Sequence, residues 1–207
     1  MSTVVVVGEV VLDRFVRPDG EHDVAGGSAA NTALALHRAG HSATLRARYS
    51  TDADGDYLYA TANDLGVDLR DCVRTSDPAT VVRIALSSDG VPQYDFQMNR
   101  TADWQWTAQE IGRDLPAGCD AVIIGSLAAV LPPGCDVLQD WASEVAGRGI
   151  TLAYDPNARP TALADADAGE IRARIAQWVR SAHIVKVSDE DLAWIVPGVD
   201  PIAVARQ

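Results

Sequence analysis

Residues 4–9 read Val-Val-Val-Val-Gly-Glu, a β-branched run that stops at a glycine and a carboxylate. Four apolar residues in succession, with no polar alternation, suit a strand buried on both faces, as in a parallel sheet. The same unit returns along the chain. Ala121-Val122-Ile123-Ile124 ends at Gly125-Ser126, Ile150 to Tyr154 ends at Asp155-Pro156-Asn157, and Ile184-Val185 leads into Lys186-Val187-Ser188. Helical stripes lie between these runs. Leu58, Ala62 and Leu65 precede Gly66; Leu138, Trp141 and Val145 precede Gly149; Ile171, Ile175, Trp178 and Val179 form a third stripe. The spacing is that of one helix face, and the two glycines stand where a left-handed cap ends a helix. Strand–helix alternation of this kind predicts an α/β fold, a doubly wound and mostly parallel sheet.

Ligands of such sheets sit beyond the carboxyl ends of the strands. Glu9, Ser126, Asp155, Asn157, Lys186 and Ser188 are therefore expected along one rim. One region departs from the rhythm. Between about 73 and 106 the chain reads as β-structure, with Thr80–Leu86 and Gln93–Met98 flanking an Asp89-Gly90 turn. A hairpin has no place inside a parallel sheet, so it is expected to project as a small lid, joined by part of 12–25; an extra sheet edge is the other reading. Trp104 and Trp106 alternate as if packing one face of a lid strand. The remainder of 1–207 reads as one domain.

Lys and Arg total 17 against 29 Asp and Glu, a formal charge of −12, so phosphate backbones and anionic lipids are disfavoured as partners. Cys72, Cys119 and Cys135 are scattered without CxxC spacing and read as reduced thiols in a cytoplasmic protein. Met1 leads almost directly into the first strand, with no signal-peptide or membrane-span pattern. Asp200-Pro201 followed by Ile202 to Arg206 reads as a capped helix start, so the chain is expected to stop in mid-element.

Ala25-Gly26-Gly27-Ser28-Ala29-Ala30-Asn31 is the sharpest local motif. Two glycines permit close backbone approach, the small residues begin a helix that runs to Ala39, and its free amides can meet ligand oxygens. Asn31 offers both a donor and an acceptor to a hydroxyl. A tight turn with close helix packing explains the same residues. Neither GxGxxG nor GxxxxGK[ST] occurs, which disfavours a dinucleotide enzyme or a P-loop.

Gly8-Glu9 and Asp13 followed by Gly26-Gly27-Ser28-Ala29-Ala30-Asn31-Thr32-Ala33 resemble the first signature of the ribokinase/PfkB carbohydrate kinases. Ser50-Thr51-Asp52-Ala53-Asp54-Gly55 is similar to that family's G-x-D-x-x-G, with serine in place of the first glycine. Asp155-Pro156-Asn157-Ala158-Arg159 resembles D-P-N-x-R, and Lys186-Val187-Ser188-Asp189-Glu190-Asp191-Leu192 resembles K-V-S-D-E-E-L. The four matches stand in family order and fit a fructokinase-like branch.

The resemblance implies ATP-dependent transfer of a phosphoryl group to a sugar hydroxyl with Mg²⁺ assistance. It implies substrate contacts at Asp13, the Gly26-Gly27 backbone, Asn31 and the lid residue Arg100. It places Asn157, Arg159, Lys186 and Ser188 on the phosphate side, with Asp191 helping indirectly to organise metal. His22, His37, His41 and His183 match no catalytic position. A homodimer through an exposed lid face around Val82, Ile84 and Phe96 is also implied. The family's D-T-x-G-A-G-D segment, which supplies the general base and the anion-binding amides, does not occur in this sequence. Two expectations result: a sugar kinase whose catalytic segment this chain lacks, or a non-catalytic sugar-binding module derived from that fold.

Overall fold

A computed structural model describes residues 1–87, 89–112 and 114–205. In chain order, β1 (Thr3–Val7) is followed by β2 (Val11–Arg17), β3 (Gly20–Gly26), α1 (Ser28–Arg38), β4 (Ser42–Arg46), β5 (Arg48–Ser50) and α2 (Ala53–Asp64). Then come β6 (Val73–Thr75), β7 (Thr80–Leu86), β8 (Pro92–Gln97), α3 (Ala108–Ile111), β9 (Cys119–Gly125) and α4 (Gly134–Gly147). The chain closes with β10 (Thr151–Asp155), α5 (Ala168–Ser181), β11 (Ile184–Val185), α6 (Asp189–Ile195) and α7 (Pro201–Ala205). Asp200 caps α7 by accepting from the Ala203 amide at 2.9 Å; Arg206, expected to extend that helix, lies outside the described residues.

The main sheet has the order β11-β10-β9-β1-β4, every pairing parallel. From β1 the chain turns first to β4 on one side and later to β9 on the other, so the strand order switches at β1. That switch point is where a doubly wound sheet opens a crevice. Alternation along β1 serves both layers. Val4 and Val6 pack with Leu45, Leu58 and Ala62 under α1 and α2. Val5 and Val7 pack with Val122, Ile124, Leu152, Leu138 and Trp178 under α4 and α5. Val179 and Leu65 are exposed instead of completing their stripes. Leu65 is already the C-cap of α2, where the helical direction is lost. Ile184 and Val185 form the sheet's edge, and Ile184 is 56% exposed, so that strand is not covered on both faces as its composition predicts.

A second sheet, β3-β2-β7-β8, stands over the carboxyl end of the first. β2 pairs antiparallel with β3 and parallel with β7, which forms the expected hairpin with β8. Register places Asp13, Val82 and Phe96 across from one another, hence on one face. Val82 is 5% exposed and, with Ile84 and Phe96, faces the interior cleft, so this is not the outward apolar face the sequence suggested. Leu86, on the same strand face but beyond the cleft, and Val91, near the turn, are exposed. Trp104 and Trp106 likewise do not pack a lid strand. A 3-10 turn at Ala102–Trp104 returns the chain to the main domain, and both indoles enter the core beside Trp141. At the other margin, Val73–Thr75 pairs with β5 instead of joining the hairpin. None of the helices among the described residues is long and apolar enough to cross a membrane.

Candidate functional site

A cleft of about 490 Å³ lies between the second sheet and the carboxyl ends of β1, β9 and β10. Glu9, Asp13, Gly27, Asn31, Asn157 and Arg159 all line it. Asp13 enters from β2 and is half-buried, and burial pushes its carboxyl above the ordinary range. Gly26 makes room for it: a methyl group there would stand 2.8 Å from Asp13 Oδ2.

Gly27 has φ 104°, and a methyl group on it would stand 2.5 Å from the Glu9 carbonyl oxygen. Only glycine fits both the dihedral and the approach. Gly27 is also the N-cap of α1 and offers no side chain to the first-turn amides. The Ser28 amide donates at 3.3 Å to Glu9 Oε1, while Asn31, one turn on, is exposed at the cleft. Glu9 is 3% exposed, and burial raises its pKa against the opposing pull of hydrogen bonds from Ser126, Ala128 and Ser28.

The far wall is made by strand ends held in unusual backbone. Ser126, after β9, has φ 57° and ψ −152°, a region nearly restricted to glycine, and Asn157, after β10, has φ 39°. Neighbouring structure must hold such residues, and they cluster where ligands are gripped. Here the Ser126 amide donates to the Asp155 carbonyl at 2.9 Å and Asn157 Nδ2 donates to Ser126 Oγ at 3.3 Å. Arg159 donates from Nη1 to the Ala158 carbonyl at 3.1 Å and is otherwise open to the cleft.

The remaining residues of the implied site lie elsewhere. Arg100, φ 53°, lines an adjoining hollow of about 920 Å³ with Trp104, Gln105 and Pro132, which meets the cleft at Tyr94, Phe96, Met98 and Thr161. Lys186 pairs with Asp155 at 3.0 Å and lines a third hollow of about 420 Å³ that meets the cleft at Ser28. Asp155 Oδ1 there is buried without a hydrogen-bond partner. Ser188 and Asp191 form a capping box at the start of α6, with Asp191 Oδ2 accepting from the Ser188 hydroxyl at 2.7 Å and amide at 3.1 Å. Asp191 Oδ1 accepts from the Ala158 amide at 2.7 Å. Asp191 therefore braces the Asn157–Arg159 loop from behind. Of the predicted rim, Glu9, Ser126 and Asn157 meet in the cleft, Asp155 and Lys186 stand beside it, and Ser188 is turned into the helix cap.

Thr80 and Asp103 were not predicted as site residues. Thr80 lines the cleft, and Asp103 binds it from beneath. The available signal was an acidic residue between Ala102 and Trp104, in a stretch otherwise fit for burial. Asp52, in the G-x-D-x-x-G-like segment, caps α2 through the Gly55 amide at 2.7 Å and accepts from the Ala79 amide at 2.9 Å, tying α2 to the entry of β7.

Residues 1–203 match the family described as pfkB family carbohydrate kinase. A fructokinase of Rhizobium leguminosarum bv. trifolii is 32% identical over 193 residues, covering 90% of this chain and 57% of that protein. Fructokinase-1 of Zea mays is 32% identical over 179 residues, covering 86% of this chain and 54% of that protein. The chain thus spans just over half the length of these curated relatives. A fructokinase with bound ATP from Xylella fastidiosa superposes with a TM-score of 0.84 at 20% identity, covering all of this chain and 68% of that one. A double mutant of fructokinase from Vibrio cholerae O395, in a fructose-, ADP- and potassium-bound form, gives 0.85 at 20% identity, covering 100% and 66%. At that identity the likeness speaks for the fold. Family match and curated relatives agree: the chain belongs to the pfkB family of carbohydrate kinases, in its fructokinase-like branch.

Proposed function

We propose that these residues form the sugar-binding half of an ATP-dependent sugar kinase of fructokinase type. One observation carries this: Asp13, Gly27 and Asn31 stand on one cleft, and among the described residues neither the Asp13 carboxylate nor the Asn31 amide is hydrogen-bonded to a side chain that would compete with a ligand. A carboxylate accepting from two adjacent hydroxyls, with an amide beside it, is a suitable grip for a polyol. Val82, Ile84 and Phe96 supply an apolar wall for the carbon face of the ring. Arg100, in the hollow that adjoins the cleft, suits the approach of substrate.

Asn157, Arg159 and the open start of α1 suit the phosphate end of a nucleotide, and Lys186 adds a cation nearby. Bound ATP supplies the phosphoryl group. With ATP bound, Arg159 would offset charge on the phosphate oxygens, and the apolar lid wall would keep water from the accepting hydroxyl. Magnesium fits less well. Among the described residues there is no cluster of acidic, histidine or cysteine side chains able to hold a metal, and both Asp191 oxygens already take protein donors.

The sequence contains no D-T-x-G-A-G-D segment, so these residues are assigned the sugar grip and not proton abstraction from the attacking hydroxyl. A cytoplasmic setting without nucleic acid or membrane partners accords with the charge of −12. Leu86 and Val91, exposed near the lid turn, are the surface for a homodimer, which light scattering would detect. Calorimetric titration of fructose into the 207-residue chain tests the main assignment. Saturable binding that Asp13→Ala abolishes, without ATP consumption, is expected. ATP-dependent formation of fructose phosphate would overturn the assignment of the base, and absence of binding by fructose and other hexoses would overturn the sugar reading.

A further inference from the structure

Three of the four segments that enter or leave the second sheet meet at one buried side chain. Asp103, 1% exposed, sits in the 3-10 turn that brings the chain back from β8. Its Oδ1 accepts from the Val10 amide at 2.7 Å, at the junction of β1 and β2. Its Oδ2 lies 2.5 Å from the hydroxyl of Thr80, the first residue of β7. Thr80 Oγ1 is in turn 2.7 Å from Thr101 Oγ1, which lies 3.4 Å from the Met98 carbonyl just beyond β8. Trp104 Nε1 donates to that same carbonyl at 3.2 Å. Thr80 and Met98 both line the sugar cleft.

Each hydroxyl in this row carries one proton, so the row runs in only one direction at a time. With a neutral Asp103, the carboxyl donates to Thr80, Thr80 to Thr101, and Thr101 to the Met98 carbonyl. The row then bridges the first residue of β7 to the end of β8. With an ionised Asp103, Thr80 must donate to the carboxylate and Thr101 to Thr80. The Met98 carbonyl loses its hydroxyl donor and keeps only the Trp104 indole.

We propose that Asp103 is a positioning residue, a proton-carrying clamp whose hydroxyl row braces β7 and β8 against the cleft and so makes sugar affinity depend on its protonation. The consequence for sugar rests on the function proposed above; the clamp itself does not. Burial pushes this carboxyl up to about 7, against hydrogen bonds from Thr80 and Val10, and the neighbouring Glu9 carboxyl adds to the rise. The other groups facing it do not supply a counter-charge. Arg48 on β5 donates to the Ala102 carbonyl at 2.9 Å but is paired with Asp77 and Glu110. Tyr49 on the same strand is a phenol whose pKa burial raises. An ionised Asp103 therefore stands beside Glu9 with no cation of its own, and the braced arrangement belongs to the neutral form.

The experiment follows the Trp104 indole N–H resonance and fructose affinity in parallel, in the wild type, Asp103→Asn and Asp103→Ala. Asn can accept from Val10 and donate to Thr80, reproducing the neutral arrangement. In the wild type the indole resonance, assigned with Trp104→Phe, should titrate with a midpoint near neutrality, and fructose affinity should fall at least about threefold between about pH 6 and about pH 8. Asp103→Asn should hold both constant at the low-pH value, and Asp103→Ala should bind weakly throughout. An indole resonance that ignores pH, or that titrates unchanged in Asp103→Asn, overturns the clamp. Wild-type affinity equal at both pH values overturns its coupling to sugar. If the indole titrates as expected but no sugar binds at any pH, the clamp stands and the proposed function falls.

Discussion

Two regions of this molecule match the same family's sequence pattern, yet the fold uses them in opposite ways. Around Asp13, Gly27 and Asn31, polar groups face a cleft with few internal partners. Around Ser188 and Asp191, every oxygen of the carboxylate is taken by a helix-cap donor or by the Ala158 amide. Residue type is matched in both places. What differs is whether the protein's own donors reach the side chain first. A buried carboxylate with three good donors is satisfied by the protein itself, while a half-buried one with no donor among the described residues stays able to accept from a ligand.

Substitutions can break that contrast, and the largest effect is expected at Gly27. Gly27→Ala sets a side chain 2.5 Å from the Glu9 carbonyl at φ 104°, so strain of about 1–3 kcal/mol and displacement of the α1 start should abolish measurable fructose binding and lower Tm. Asp13→Asn keeps the shape but removes the charged acceptor. A loss of about 1.5–3 kcal/mol, or roughly ten- to hundredfold in fructose Kd, should appear by calorimetry with little change in Tm. Asp191→Ala should do the reverse. Loss of the reciprocal half of the capping box and of the Ala158 partner should cost about 1–3 kcal/mol in denaturant unfolding, with fructose Kd moved less than by Asp13→Asn.

Acidity sharpens the contrast from another side. Asp103 titrates near 7 in the folded protein, above its unfolded value, so the native state holds more protons than the unfolded chain between those two values. Stability from the neutral carboxyl is therefore lost as pH rises through that window. Tm measured from about pH 5 to about pH 8 should fall by roughly 5–10 °C more in the wild type than in Asp103→Asn. The smallest effect is expected at Arg100. Because it lines the adjoining hollow and not the cleft itself, Arg100→Ala should change fructose Kd by less than about threefold.

Much of the scaffold was legible because its signals are local. The Val4–Val7 run, the turn at Asp89-Gly90 and the caps at Gly66 and Gly149 need only neighbouring residues to be understood, and each element forms where its pattern lies. The glycine pair was legible for a similar reason, since a methyl group at position 27 would stand 2.5 Å from the Glu9 carbonyl and leaves glycine alone there. Trp104 and Trp106 misled because period-two spacing cannot distinguish a strand from a 3-10 turn followed by an extended residue, and only the core beside Trp141 decides. The outward face assigned to Val82, Ile84 and Phe96 failed for want of register. Which side of a sheet meets the domain is set by pairing with Asp13, a long-range contact. Asp103 was hidden by the same distance, as its partners Val10 and Thr80 lie 93 and 23 residues away.

The most direct measurement is a crystal structure of this chain grown with saturating fructose. One sugar should lie between the β2–β7–β8 face and the start of α1, with hydroxyls on the Asp13 carboxylate and the Asn31 amide. Fructose ordered elsewhere, or a cleft filled only by solvent while the protein is saturated in solution, would contradict the account.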